Sequence, residues 1–158
     1  MNKLDSTYLR EVLEYNLETG IFTWKFGNKR NIKANQIAGS IHPEGYRTIC
    51  FEYKFYRAHR LAWLYVYGEM PKHQIDHING KKDDNRIENL RQATHAENQQ
   101  NKHSTKGYSW HKKRKVWEAY IRMNGKKLTL GYFKKEEDAQ LARINAKHKH
   151  HPFFTFSR

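Results

Sequence analysis

The longest apolar run in this 158-residue chain is Leu61 to Tyr67, and every other hydrophobic stretch is shorter and broken by polar or charged residues. A membrane-spanning helix needs roughly 20 consecutive apolar residues, so nothing here is built to cross a bilayer. The N-terminus also lacks the charged and apolar regions of a signal peptide. We therefore expect a soluble, intracellular protein with no membrane partner. With 37% hydrophobic and 14% aromatic residues, the chain can fill one ordinary domain or two small modules with modest cores. Cys50 is the sole cysteine, which excludes an intrachain disulfide and any zinc site built on paired thiolates. It reads as a small buried hydrophobe in a strand.

The short segments sort by period. Asp5 or Ser6 caps a first helix with Leu9, Val12 and Leu13 on one face and Gly20 as its stop. Ile21 to Trp24, Ile37 to Ile41 and Tyr46 to Tyr53, punctuated by Gly39 and Gly45, predict a small antiparallel sheet. Ala58 to Tyr67 suits a buried helix ended by Gly68 and Pro71. Ser104, Thr105 and Gly107 mark a short hinge. Beyond it, Val116 to Arg122 alternates, with Trp117, Ala119 and Ile121 on one face and Glu118, Tyr120 and Arg122 on the other. Asn124-Gly125 is a two-residue hairpin signal, and Lys127 to Phe133 alternates again with Leu128 and Leu130 inward. Glu136 to Lys147 reads as a helix whose Ala139, Ala142 and Ala146 allow close approach to that sheet.

Charge divides the chain in the same place. Of a net +14, residues 99–158 hold 15 basic and 4 acidic side chains, +11, against +3 for residues 1–98. A localised basic surface attracts a polyanion by releasing condensed counterions, so nucleic acid is the expected partner. An anionic membrane surface fits less well, because Lys112 to Lys115 sit between strand-like runs instead of along an amphipathic helix.

The remaining segment is dense in Asp, Asn and His: Asp76-His77-Ile78-Asn79-Gly80, then Asp83-Asp84-Asn85-Arg86-Ile87-Glu88-Asn89-Leu90-Arg91, then Glu97-Asn98. Phosphodiester hydrolysis needs an activated water, a Lewis acid for the pentavalent phosphate, and help for the departing 3′ oxygen. A neutral imidazole accepts a proton near pH 7, which makes His77 the natural general base. Asp76 and Asn98 offer hard oxygen ligands suited to Mg²⁺ or Mn²⁺. Asp84 and Asn85 read as hairpin-stabilising. His59 reads as a packing or hydrogen-bonding residue near the loop, and the tail's His148, His150 and His151 as solvated.

This run resembles the HNH endonucleases, most closely the phage and intron-associated homing branch. Arg57-Ala58-His59-Arg60 and the Leu17-Glu18-Thr19-Gly20 turn extend the resemblance over residues 6 to about 101. It implies a ββα-metal core at about 73–101, with His77 and Asn89 as catalytic residues, Asp76 and Asn98 on the metal, and Asn89 fixing the loop that orients His77. Many HNH enzymes have histidine at the last motif position where this chain has Asn98, which leaves metal preference open. The last third resembles the plant APETALA/ethylene-response-factor domains, three strands backed by a helix. That implies double-stranded DNA contacts from Arg114, Glu118, Tyr120, Arg122, Lys127 and Thr129 and from the basic turn at Lys112 and Lys113.

The expected class is thus α+β: an HNH nuclease domain over residues 1–103 and a DNA-binding domain over 104–158. The N-terminal helix and small antiparallel sheet belong to the first, the three strands and helix to the second. The expected activity is a metal-dependent DNA endonuclease, cytoplasmic in a bacterial host if phage-encoded. A catalytically silent DNA-binding regulator is the alternative. An RNA-binding protein fits less well, because no aromatic-rich RNP-like strand is present. Oligomeric state and target site are not encoded in these motifs.

Overall fold

The structure is a computed structural model that describes residues 4–27, 32–100, 106–123 and 126–151. It forms two compact units, Met1–Thr94 and His95–Arg158. The expected boundary between residues 103 and 104, the hinge residues Ser104 and Thr105, and the Asn124-Gly125 turn fall outside the described residues.

The first unit opens with α1 (Ser6–Val12), capped by the Asp5 carboxylate, which accepts from the Thr7 amide at 3.1 Å. The helix stops before Gly20. Leu13 turns extended, and β1 (Leu13–Tyr15) pairs antiparallel with β2 (Phe22–Trp24). Asn16 makes this early stop possible, because its side-chain oxygen accepts from the Glu18 and Thr19 amides at 2.9 Å and its carbonyl from Gly20 at 2.8 Å. Such side-chain capture of backbone amides competes with a helix. Gly20 serves a strand connection instead, at φ +72°.

A second sheet has the order β3 (Ser40–Ile41), β4 (Arg47–Phe51) and β5 (Lys54–Arg57). The run expected as one strand, Tyr46 to Tyr53, breaks into a hairpin at Glu52 and Tyr53, both with positive φ (48° and 62°). On β4 the side chains alternate: Ile49 and Phe51 enter the core, whereas Cys50 between them is exposed. The expectation of a buried cysteine is therefore corrected by the pleat, which sends successive residues to opposite faces.

The last strand runs directly into α2 (Ala58–Tyr67), ended by Gly68 in the left-handed region at φ 78°. This helix buries Ala58, His59, Leu61, Ala62 and Leu64 against Leu9, Leu13, Phe22 and Ile49 in one core. The Arg60 guanidinium then donates to the Pro71 carbonyl at 3.2 Å, guiding the chain into β6 (Gln74–His77). That strand pairs with β7 (Leu90–Ala93), with Asp76 opposite Arg91 and His77 opposite Leu90.

The second unit begins with α3 (His95–Gln100). Its sheet has the order β10 (Lys126–Phe133), β9 (Val116–Met123), β8 (Tyr108–His111), and α4 (Glu136–His150) packs against it. Ala119 and Ile121 of the central strand and Ala139 of the helix are fully buried, as the alternation and the small helix residues predict. Leu128, expected inward, is 47% exposed. It lies on an edge strand whose register shifts between Thr129 and Gly131, so the alternation that is clean in β9 does not carry through β10.

Gly20 also touches the chain between β6 and β7: a Cβ there would run into the backbone of Asn85 and Arg86. Gly20→Ala should lower stability by about 1–3 kcal/mol through left-handed strain, with a further loss from the collision. Chemical denaturation checks this, and an unchanged midpoint would contradict it.

Candidate active site

The β6–β7 hairpin is joined by a long polar loop, residues 78–89, closed by a 3₁₀ turn over Ile87–Asn89. A loop this polar keeps its shape only if its buried amides and carbonyls find partners. Asn89, 5% exposed, supplies them at both ends. Its Oδ1 accepts from the Asn79 amide at 3.0 Å, and its Nδ2 donates to the Asp84 carbonyl at 2.7 Å. Its own carbonyl accepts from the Ile78 amide at 2.9 Å. Tyr15 reaches out of the core to donate its hydroxyl to the Asn85 carbonyl at 2.6 Å.

Three aspartates around this hairpin are each held by an arginine. Asp76 is paired with Arg91, whose Nη2 lies 2.7 Å from Oδ2; Asp83 is paired with Arg47 at 2.9 Å and Asp84 with Arg86 at 2.8 Å. The Arg86 hydrogen bond, aided by Asn79, holds the Asp84 carboxyl down at about 2.

His77, at the end of β6, is 4% exposed. Its Nε2 lies 3.4 Å from Asn85 Oδ1. The Asn85 amide nitrogen is committed to the Asp83 carbonyl at 3.0 Å, so the oxygen facing His77 is an acceptor and Nε2–H donates to it. In the neutral ring the lone pair is then on Nδ1. Burial pushes the His77 pKa below the usual histidine range, against the opposing pull of Asn85 and of Asp76, Asp84 and Asp83. The imidazole is neutral at pH 7.

Two neighbours complete the surroundings of His77. The His59 ring stands edge-on to it at 5.1 Å between centroids, and Tyr46 lies 5.4 Å from His59 and 5.8 Å from His77. The Arg57 guanidinium and the Lys82 ammonium sit over the Tyr46 ring at 5.1 and 4.9 Å. Positive charge thus lies beside the histidine pair, next to a groove of about 430 Å³ on the sheet lined by Ser40, His42, Thr48, Phe55 and Arg57.

Of the residues singled out by sequence, Asp76, His77 and Asn89 come together in the first unit, whereas Asn98 lies on α3 of the second. Asn85 and Tyr46 carry more of the site than their sequence context suggests. Asn85 sits in a run of turn-forming residues that hides its contact, and Tyr46 has no local pattern at all. In the second unit, β-pairing puts Glu118, Tyr120, Arg122, Lys127 and Thr129 on one face. Lys127 bonds Glu118 at 2.8 Å and covers the Tyr120 ring at 4.5 Å; Thr129 bonds Glu118 at 3.2 Å. Lys112, Lys113 and Arg114 are exposed in the β8–β9 turn, with Arg114 over Tyr132 at 4.7 Å.

His59 generates a measurable consequence. Burial, then His77, Arg60 and Arg57, lower its pKa from 6.5 to about 3. The unfolded chain therefore binds a proton below about pH 6.5 that the folded chain refuses. Stability from this group is complete above pH 6.5 and falls as pH drops toward 3, by on the order of a few kcal/mol. His59→Gln should flatten the stability curve between pH 6.5 and 4 in denaturant titrations; a slope equal to the parent's would show that His59 is not the linked group.

Comparison with known families matches residues 56–100, which span α2, the hairpin and α3, to a family described as HNH endonuclease. Among curated proteins, Protein 3.8 of Escherichia phage T7 is 35% identical over 82 residues, covering 47% of this chain and 68% of that protein. No solved structure matches the chain. With that domain lying over the histidine-bearing hairpin, the chain belongs to the HNH endonuclease family and has Protein 3.8 among its relatives.

Proposed function

We propose that this chain is a metal-dependent DNA endonuclease of the phage homing type, acting inside a bacterial cell and leaving 5′ phosphate and 3′ hydroxyl ends. The observation that carries the reading is His77: buried, neutral, and held by Asn85 through one nitrogen so that the other is the basic one. In this reading Nδ1 takes the proton of the attacking water. Asn89 acts through the loop and is a positioning residue.

In this reading the metal ligands are Asp76 and Asn98, chosen for the chemistry of their side chains. Both are hard oxygen donors. That fits Mg²⁺ or Mn²⁺, which keep several waters and share one or two protein ligands with substrate phosphate. When bound, such a cation supplies Lewis-acid stabilisation of the pentavalent phosphate and the leaving oxygen. Arg91 balances the buried Asp76 carboxylate beside His77, which would otherwise be costly to bury.

We assign residues 104–158 to an APETALA-like DNA-binding domain. Support comes from the shared face of Glu118, Tyr120, Arg122, Lys127 and Thr129 and from the adjoining basic turn. In this reading Arg122 contacts base edges, while Lys112, Lys113 and Arg114 contact phosphates.

Plasmid cleavage tests the proposal. Cleavage should require Mg²⁺ or Mn²⁺ and stop in excess chelator. His77→Ala should slow it by about 10²–10⁴ while leaving DNA affinity nearly intact. Parent-like turnover by that variant would remove His77 from the mechanism, and binding without any cleavage by the parent would favour a silent regulator. For the second unit, Arg122→Ala should lose about 1–3 kcal/mol on a preferred duplex and relax discrimination, whereas Lys112→Ala should weaken all sequences alike. Competition between preferred and scrambled duplexes decides it: an unchanged preference ratio for Arg122→Ala would show that this face does not read bases.

A further inference from the structure

The outer face of the β3–β4–β5 sheet carries a groove with an aromatic wall. Ile49 and Phe51 of β4 point into the core, so Thr48 points outward, and strand pairing sets Ser40 and Arg57 on either side of it. Phe55, two residues before Arg57 on β5, shares that face. These four residues and His42 line a groove of about 430 Å³, within the range that takes one small ligand. The Phe55 ring is 78% exposed, whereas Phe22 and Phe51 are buried. It stands in the wall of a concavity and not singly on a convex surface. The turn that leads into β5 holds Glu52 and Tyr53 at positive φ, 48° and 62°, a conformation that is costly for bulky side chains. Strain of this kind gathers at ligand sites.

Charge at the groove complements a nucleic-acid strand. The Arg57 guanidinium donates to Thr48 Oγ1 at 3.2 Å and to the Glu44 carboxylate, and a guanidinium has more donors than these two contacts use. Glu44, in the β3–β4 turn, is thereby paired; it also lies 3.6 Å from His42 Nδ1. Lys82 holds its ammonium over the Tyr46 ring at 4.9 Å and donates to the Glu44 carbonyl at 2.8 Å. The same ring lies 5.1 Å from the Arg57 guanidinium and 5.8 Å from His77. One side chain, Tyr46, thus separates the groove's guanidinium from the buried histidine.

Resting on the nuclease reading above, we propose that this groove seats one unpaired base of the DNA substrate, stacked on Phe55. An aromatic side chain offers a π face to any base, and Arg57 and Lys82 draw the strand's backbone toward it. The hydroxyls of Ser40 and Thr48 and the His42 ring provide donors and acceptors for the polar edge of the base. A paired base has both faces covered by its neighbours in the stack, so only one that is bulged, flipped or single-stranded lies on the ring. The substrate class is then DNA with an unpaired nucleotide close to the scissile phosphate.

The test is DNA binding by the full chain in excess chelator, so that cleavage does not intervene. It compares a fully paired duplex with the same duplex carrying a one-nucleotide bulge. The parent should bind the bulged duplex about tenfold tighter, the scale of one base stacked on an aromatic ring. Phe55→Leu, which keeps apolar bulk and loses the π face, should bring the two affinities together, and Phe55→Trp should keep the preference. Because Phe55 is exposed, both variants should unfold at the parent's denaturant midpoint. With 5-iodouracil as the bulged base, irradiation should crosslink it to Phe55 in the parent. Equal affinities in the parent, a preference that survives in Phe55→Leu, or a crosslink confined to the second unit would overturn the proposal. Those failures leave the nuclease reading standing if the parent still cuts plasmid with Mg²⁺, whereas binding to neither duplex would remove both.

Discussion

One buried carboxamide organises the first unit. The loop between β6 and β7 is too polar to be held by hydrophobic contacts, so its shape depends on satisfied hydrogen bonds. Asn89 makes those bonds at both ends, to the Asn79 amide and the Asp84 carbonyl. Asn is suited to this because it offers a donor and an acceptor on one short, neutral group. An aspartate would keep the acceptor, lose the donor, and add a charge among three existing carboxylates. With the loop closed, Asn85 is carried to His77 and the ring nitrogen opposite it is fixed as the donor.

Charge in this unit is arranged so that the histidine stays neutral. Asp76, Asp83 and Asp84 would together favour an imidazolium, but each is paired with an arginine. His59 and Tyr46 contribute apolar ring surface instead of charge, and burial wins. The arrangement links stability to the site's electrostatics: the neutrality that suits proton acceptance at pH 7 is also what acid takes away.

The hairpin was legible in the sequence as a dense run of Asp, Asn and His: Asp76 and His77 are neighbours on one strand end, and Asn89 closes the loop that follows. Helix α2 was legible because Gly68 and Pro71 bound a compact apolar run. Less legible was the end of α1, where Leu13 fits a helical face as well as it fits β1. Asn16 decides between them by capturing the Glu18 and Thr19 amides, a contact that composition does not reveal. The break at Glu52 and Tyr53 was hidden for a related reason: a hairpin turn with positive φ usually advertises itself with glycine or asparagine, and this one has neither. Tyr46 reaches the site only through tertiary packing, which no spacing encodes, whereas His59, expected near the loop as a packing residue, does stand edge-on to His77.

The basic surplus of the last third says less about DNA contact than its size suggests, because the cations are not equivalent. Arg143 and Lys147 are buried on α4. Lys127 is bonded to Glu118 and sits over Tyr120, and Arg114 sits over Tyr132. A cation held over a ring and against a carboxylate has part of its charge already answered, so it orients the surface more than it neutralises phosphate. Arg122, Lys112 and Lys113 are exposed, and under the proposed DNA-binding reading they are the cations to which phosphate neutralisation falls. A salt dependence of binding shallower than the net charge predicts would follow from this division, since counterion release counts phosphates neutralised and not lysines present.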